Sequence, residues 1–303
     1  MAEGVLTHAA GSAPEWPPLP QAYHLIQHEL GIGDLLCSLY GVNGFSHALD
    51  RPPIRLYLSD HFGWMDLVDI PGLEVLSLEQ NPPPAGSLQL GDSESDYREK
   101  LRGGYDPKQW YARKLGAVPL KPPLNLSLFA QPPDLRSPYV VLAPFATRIN
   151  RTWEAHNWRL LARELTAAGY GVIALDGPGQ SERCKALDVE YFWGQPPAWV
   201  ANVCRHAALL IACDSGLAHV GGLLGTPTLV LLAQQIPEAY FSMTGNAFMV
   251  PNQPCVGCRF QTDRGYEEKC DYGCWALQSL SPRDVAQRAL AKLGAGPGRN
   301  GMG

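Results

Sequence analysis

Between residues 22 and 292, short apolar runs alternate with stretches of helical spacing. Tyr23–His28 (YHLIQH) reads as a strand that runs into Gly31-Ile32-Gly33-Asp34, and Leu35–Leu49 then reads as a helix. Ile54–Ser59 alternates as a second strand, and Leu73–Leu78 is a third. Residues 80–95, rich in Pro, Gly and Ser, read as a loop, and Asp106–Leu115 as a helix. In the second half, Tyr139–Ala143, Gly171–Leu175, Leu209–Cys213, Thr228–Leu232 and Phe248–Val250 have the character of strands. Asn157 is placed to cap a helix with Trp158, Leu161, Leu165 and Ala168 on one face and Gly169 as its stop. Pro197–His206 is a second helix, and a third follows Asp214-Ser215-Gly216 through Leu224. Ser281-Pro282 opens the last helix, with serine as cap and proline in the first turn. Strands alternating with helices predict an α/β fold with a doubly wound layer in each half. Ligands then belong beyond the carboxyl ends of the strands, in the cleft between the halves.

The segments between these elements set the organisation. Residues 1–21 read as a disordered, Pro-rich lead-in, with neither the basic start nor the apolar stretch of a secretion signal. Six prolines between 119 and 138 suit a linker. The expected division is therefore 22–134, 135–292 and a disordered tail, 293–303. No apolar run approaches the roughly 18–20 residues of a membrane span, so a soluble, cytoplasmic protein is expected. Apolar residues make up 46% of the 303 positions, which excludes wholesale disorder. The net charge of −5 argues against a nucleic-acid partner. High Ala, Gly and Pro content points towards a bacterial source of high GC content.

Four motifs carry candidate chemistry. Gly31-Ile32-Gly33-Asp34 puts two glycines and an acid where a strand turns into a helix, a place suited to a polar or anionic ligand. Asp34 there is either a functional carboxylate or an ordinary first-turn acid. Asp214, Ser215, Gly216 and, one turn on, His219 occupy a second such junction, whose open N–H groups suit a diphosphate; a plain cap and a core histidine are the alternatives. Arg151, after the first strand of the second half, is a fixed cation able to fork onto phosphate, or a solvated loop residue. Gln180 and Glu182, past the Gly177-Pro178-Gly179 turn, are candidates for a nucleoside, unless the turn merely joins strand to helix. Separately, Cys255-x2-Cys258-x11-Cys270-x3-Cys274 has the spacing of a zinc or iron thiolate site with a structural role. Cys37, Cys184, Cys204 and Cys213 read as small buried residues.

Taken in order, GIGDLLCSLYGV, RTWEAHNWRLLARELTAAGYGVIALDGPG and DSGLAHVGGLLGTPTLVLL resemble glycosyltransferase family 9, the ADP-heptose:lipopolysaccharide heptosyltransferases and their relatives. The resemblance runs over most of residues 22–292 but skips 80–135. It implies a GT-B fold, two Rossmann-like domains facing a cleft, with an N-terminal acceptor domain and a C-terminal nucleotide-sugar domain. It also implies inverting transfer of a heptose-like sugar from an ADP-linked donor to an acceptor hydroxyl on a glycan, lipid or protein, without a catalytic divalent metal. By position, Asp34 falls on the family's general base, and Asp214, Ser215, Gly216 and His219 fall on its donor diphosphate loop. Arg151 replaces the usual Lys, and Gln180 the usual ribose-binding Glu. The residues fit that chemistry: a hydroxyl needs a base at neutral pH, and the leaving diphosphate needs cationic and N–H partners. No D-x-D motif is present.

Two other readings compete. VIALDGPGQSE resembles a turn of α/β-hydrolases, but Ser181 and Ser215 lack the G-x-S-x-G elbow, and Gly44-Phe45-Ser46-His47-Ala48 comes too early in the chain. A non-catalytic GT-B-like nucleotide-binding protein is the second.

Overall fold

The computed structural model describes residues 22–27, 31–91, 106–177, 181–237, 246–258, 270 and 273–294. Two parallel sheets organise them. The first holds β1 (Tyr23–Gln27), β2 (Ile54–Leu58), β3 (Leu73–Ser77) and β4 (Leu88–Gln89) in the order β3-β2-β1-β4. The second holds β5 (Tyr139–Ala143), β6 (Gly171–Asp176), β7 (Glu190–Trp193), β8 (Leu209–Cys213), β9 (Thr228–Leu231) and β10 (Ala247–Met249). Its order is β10-β9-β8-β5-β6-β7, the doubly wound arrangement whose strand order reverses between β5 and β8. The helices are α1 (Ile32–Ala48), α2 (Pro107–Lys114), α3 (Ala155–Ala167), α4 (Ser181–Lys185), α5 (Pro197–His206), α6 (Gly216–Leu224), α7 (Trp275–Gln278) and α8 (Pro282–Gly294).

The apolar strands of the second sheet are buried on both faces, which explains why they read as unbroken runs. Val140 and Leu142 of β5 join Leu209 and Ile211 of β8 in a core with Trp153, Trp158 and Val285. The intervening Val141, Leu210 and Ala212 face the opposite way, into a core shared with Leu35, Leu39 and Leu56 of the first sheet. One continuous apolar core therefore spans the two halves. On the outer face, the rings of Trp153 and Trp158 meet edge to face at 5.3 Å.

Several boundaries differ from the sequence expectation. Helix α1 begins at Ile32 rather than Leu35, so Gly33 lies inside its first turn. Helix α3 begins at Ala155 with Glu154 as the cap residue, and Asn157 lies within the helix. The cause is tertiary: the Glu154 N–H donates to Gln278 Oε1 at 2.9 Å, so a residue 124 positions away satisfies the helix start. The expected loop 80–95 contains β4, which pairs with β1 through Leu25 and Leu88. Strand β7 has no counterpart in the sequence reading. The expected disordered lead-in, 1–21, lies outside the described residues, as does 295–303 of the expected tail; Leu293 and Gly294, placed in that tail by the sequence, instead close helix α8, where Leu293 packs against the outer core.

Helix α1 packs against the segment that follows it at backbone distance. A Cβ at Gly41 would sit 2.8 Å from Ala112 N, and one at Gly44 would run into the Val118 carbonyl oxygen. The same crossing is tied by Leu120 N–H donating to Tyr40 O at 2.9 Å and by Asn43 Nδ2 donating to Lys121 O at 3.0 Å. In an exposed helix, alanine is worth roughly 1 kcal/mol over glycine. Here the overlap dominates: Gly44→Ala is expected to lower unfolding stability by about 1–3 kcal/mol. Urea denaturation checks the sign; a raised midpoint would show that the Val118 backbone yields at no cost.

Candidate functional site

Both sheets end in the same cleft. The described residues around it enclose about 360 Å³ and come from the turn after β1, the loop after β5, the end of β6 and the turn after β8. Gly31, Gly33, Asp34, Arg151, Asp214, Ser215, Gly216 and His219 all line it. Gln180 lies outside the described residues, as does the side chain of Glu182.

Two helix N-termini meet there. A Cβ on Gly33 would lie 2.8 Å from the His219 ring, and one on Gly216 would lie 3.1 Å from Ile32 Cβ. Only glycine on both helices allows this approach. The cap residues are Gly31 for α1 and Ser215 for α6, and neither makes a side-chain capping bond. Ser215 Oγ is buried without a hydrogen-bond partner among the described residues. Asp34 sits in the first turn of α1, where the helix dipole favours a carboxylate. The open amides and aligned dipoles together make a place for an anion.

Two ion pairs line the same walls. Arg151 Nη1 stands 3.7 Å from Asp214 Oδ2, with both side chains largely buried. Arg183 Nη2 reaches Asp176 Oδ1 and Oδ2 at 3.1 and 2.9 Å, and its Nε reaches Oδ2 at 3.3 Å. Burial raises the Asp176 carboxyl above its usual range, opposed by the Gly177 amide and by Arg183. The sequence reading did not single out the Asp176–Arg183 pair.

Behind the cleft lies a buried network, also missed from sequence. His219 Nδ1 is 3.4 Å from Cys37 Sγ, one turn past Asp34 on α1. Lys108, in the first turn of α2, is almost wholly buried and binds Asp106 at 2.9 and 3.2 Å. Cys184, Cys204 and Cys213 are buried, as expected, and so is Cys37.

Of the four clustered cysteines, Cys274 is buried and Cys255, Cys258 and Cys270 are partly so. Cys258 N–H donates to Cys255 O at 3.2 Å around Gly257, which has a positive φ of 73°. Convergence of the two pairs on one ion is not seen: among the described residues no three His, Cys, Asp or Glu side chains group as a metal site. Residues 259–269 and 271–272, between the pairs, lie outside the described part.

No family model matches the chain. Over 169 residues it is 31% identical to the inactive autotransporter heptosyltransferase BimC of Burkholderia thailandensis, a match covering 54% of this chain and 40% of that protein. The chain thus spans well under two thirds of that relative's length. Among solved structures, the dodecameric iron-containing heptosyltransferase TibC, in complex with ADP-D-β-D-heptose, superposes with a TM-score of 0.73 at 20% identity, over 90% of this chain and 77% of that one. The glycosyl transferase family 9 protein of Veillonella parvula gives 0.65 at 11% identity, over 91% and 98%.

The chain resembles the family 9 heptosyltransferases. Its fold is the GT-B fold, two parallel doubly wound sheets whose strand ends face one cleft. In this heptosyltransferase-like fold, Ser215 serves as the α6 cap residue, and the hydrolase alternative gains no nucleophile elbow from it.

His219 yields a pH test. Burial first, then the nearby cations Lys108 and Arg151, hold its imidazole well below the ordinary value of 6.5. The folded chain therefore binds fewer protons than the unfolded chain below that pH. The stability associated with neutral His219 is present above it and is lost as pH falls. His219→Gln is expected to flatten this acid limb, by up to about 1.4 kcal/mol per pH unit. Matched denaturation curves at about pH 7 and about pH 5 check it; an unchanged slope would mean that the imidazole titrates freely in the folded chain.

Proposed function

We propose that this chain is an inverting glycosyltransferase that moves a heptose-like sugar from an ADP-linked donor to an acceptor hydroxyl. The observation that carries this reading is the meeting of Asp34 with the uncapped start of α6 in one cleft. Asp34 takes the acceptor proton as the new bond to the anomeric carbon forms. The bond to the diphosphate breaks, and its electron pair leaves with the nucleoside diphosphate. The Ser215–Gly216 amides and Arg151 offset the charge that gathers there. Neutral His219 is a hydrogen-bonding group in this scheme and not an acid. Residues 22–134 would hold the acceptor and residues 135–292 the donor, with Gln180 at the ribose. The ADP-heptose named with TibC and the resemblance to family 9 support the donor assignment.

Asp34→Asn is expected to reduce transfer by about 10²–10⁴-fold while donor binding holds. Turnover from an ADP-sugar panel, with calorimetric binding alongside, checks this. Near-parental turnover would remove Asp34 from the chemistry. The relative called inactive gives a second reading some weight: a GT-B-like protein that binds a nucleotide sugar and transfers nothing. Intact donor binding with no transfer or hydrolysis, across acceptors that include proteins, would select that reading.

We further propose that Cys255, Cys258, Cys270 and Cys274 hold a structural zinc or iron ion. Four cysteines within twenty residues are a donor set of the right softness, and TibC is described as iron-containing. Such an ion would pin the chain between β10 and α8. Elemental analysis is expected to find it in stoichiometric amount. Cys255→Ser and Cys270→Ser should lose metal and melting temperature while donor affinity survives; equal stability with lost turnover would move the cluster into the mechanism. No described helix is long and apolar enough to cross a membrane; we propose a cytoplasmic location, where a cysteine cluster holding a metal suits the reducing conditions.

A further inference from the structure

The Asp176–Arg183 pair stands apart from the diphosphate loop, and its position is informative. In the second sheet Asp214 follows β8 and Asp176 ends β6, with β5 between them. Two strand spacings put the ends of β6 and β8 about 10 Å apart, and both aspartates line the cleft. An anion held at the start of α6 thus lies a ribose's reach from Arg183, on the same strand-end surface.

The guanidinium is unusually constrained. Asp176 clamps its Nε and Nη2, and Asp176 is itself fixed by the Gly177 N–H, which donates to Oδ1 at 2.8 Å. The Phe145 ring lies beneath the guanidinium, 4.5 Å from centroid to Cζ. The Arg183 side chain keeps 37% of its surface exposed, and both Arg183 and Phe145 line the cleft. A carboxylate bound along one edge cancels much of the charge that an anion would feel. The flat face opposite the phenyl ring is unaffected. This arrangement favours a neutral planar ligand over a phosphate.

Resting on the donor reading above, we infer that Asp176, Arg183 and Phe145 form the nucleobase platform, with the base stacked on the open face of the guanidinium. Asp176 is a positioning residue that holds the plane, and Arg183 is the contact that separates nucleotides from bare diphosphates. Its Nη1, which the Asp176 bonds do not use, would donate to acceptor atoms on the base and so discriminate among bases.

Calorimetry on the full chain with ADP, UDP, GDP and inorganic pyrophosphate tests this. For the nucleotide that the parent prefers, affinity is expected to fall about tenfold in both Arg183→Ala and Arg183→Lys, since lysine keeps the charge and loses the plane. Pyrophosphate affinity is expected to match the parent in both, which also shows that the variants fold. A loss of pyrophosphate affinity in Arg183→Ala that Arg183→Lys restores would overturn the inference and make Arg183 a phosphate ligand. Unchanged nucleotide affinity in both variants would overturn it too. A parent chain that binds none of the four probes would overturn the donor reading itself, and the platform with it.

Discussion

The first turns of α1 and α6 touch where there is no room for a side chain on either. A Cβ on Gly33 would meet the His219 ring at 2.8 Å, and one on Gly216 would press on Ile32 at 3.1 Å. This contact joins the two sheets at their functional ends. It also aims two helix N-termini into one space, an arrangement that is electrostatically unfavourable unless something negative lies between them. Asp34 is one negative group in that space, and the cleft has volume for another. The apolar core shared by Leu35, Leu39, Val141 and Leu210 holds the two halves together below the contact. The convergence at the top is thus held by packing rather than by attraction between the helix ends.

Behind that contact the chain buries charge, which is costly unless every partner is in place. Lys108 and Asp106 are both withdrawn from water and bound to each other. Lys108 and Arg151 raise the cost of a proton on His219, and burial already disfavours it. The outcome is a neutral imidazole at the wall of a site that also holds Arg151, Asp214, Asp176 and Arg183. A neutral ring there accepts or donates a hydrogen bond without adding charge to the helix ends. Cys37, at hydrogen-bonding distance from Nδ1, fixes how the ring sits relative to α1. The two halves therefore meet through a thiol and an imidazole as well as through glycine.

Much of this was legible in the sequence where a physical signal is local. Tyr139–Ala143, Pro197–His206 and Leu209–Cys213 were delimited as observed, since strands buried on both faces are continuous and prolines mark helix starts. The residues of the two glycine-bearing turns were legible too, and the fold brings them together with Arg151. What escaped depends on distant partners. Glu154 caps α3 because Gln278 reaches it, so Asn157, locally the better cap, lies within the helix. β4 is two exposed residues that pair only because β1 is alongside. Lys108 reads as a solvated helix residue until Asp106 and the Tyr40 ring are seen around it. Phe145 and Arg183 are 38 positions apart in sequence and stack only because β5 and β6 are neighbours.

The two arginines of the cleft are held in two different ways, which match the two tasks proposed for them. Each lies near a carboxylate at the end of a strand, Asp214 after β8 and Asp176 in β6, yet the pairings differ in kind. Arg151 Nη1 is 3.7 Å from its carboxylate, an ion pair beyond hydrogen-bonding distance. Arg183 is bound through two nitrogens at hydrogen-bonding distances and is backed by a ring. A loose pair suits a group that must answer charge developing on a leaving diphosphate, because field strength is what that step needs. A tight pair suits a surface that must keep its shape, because the carboxylate spends the charge and leaves the plane. The difference follows from geometry: Arg151 reaches Asp214 from a short 3-10 turn after β5, whereas Arg183 lies seven residues beyond Asp176 and folds back onto it. Charge and planarity, both properties of guanidinium, are thereby separated along one sheet edge.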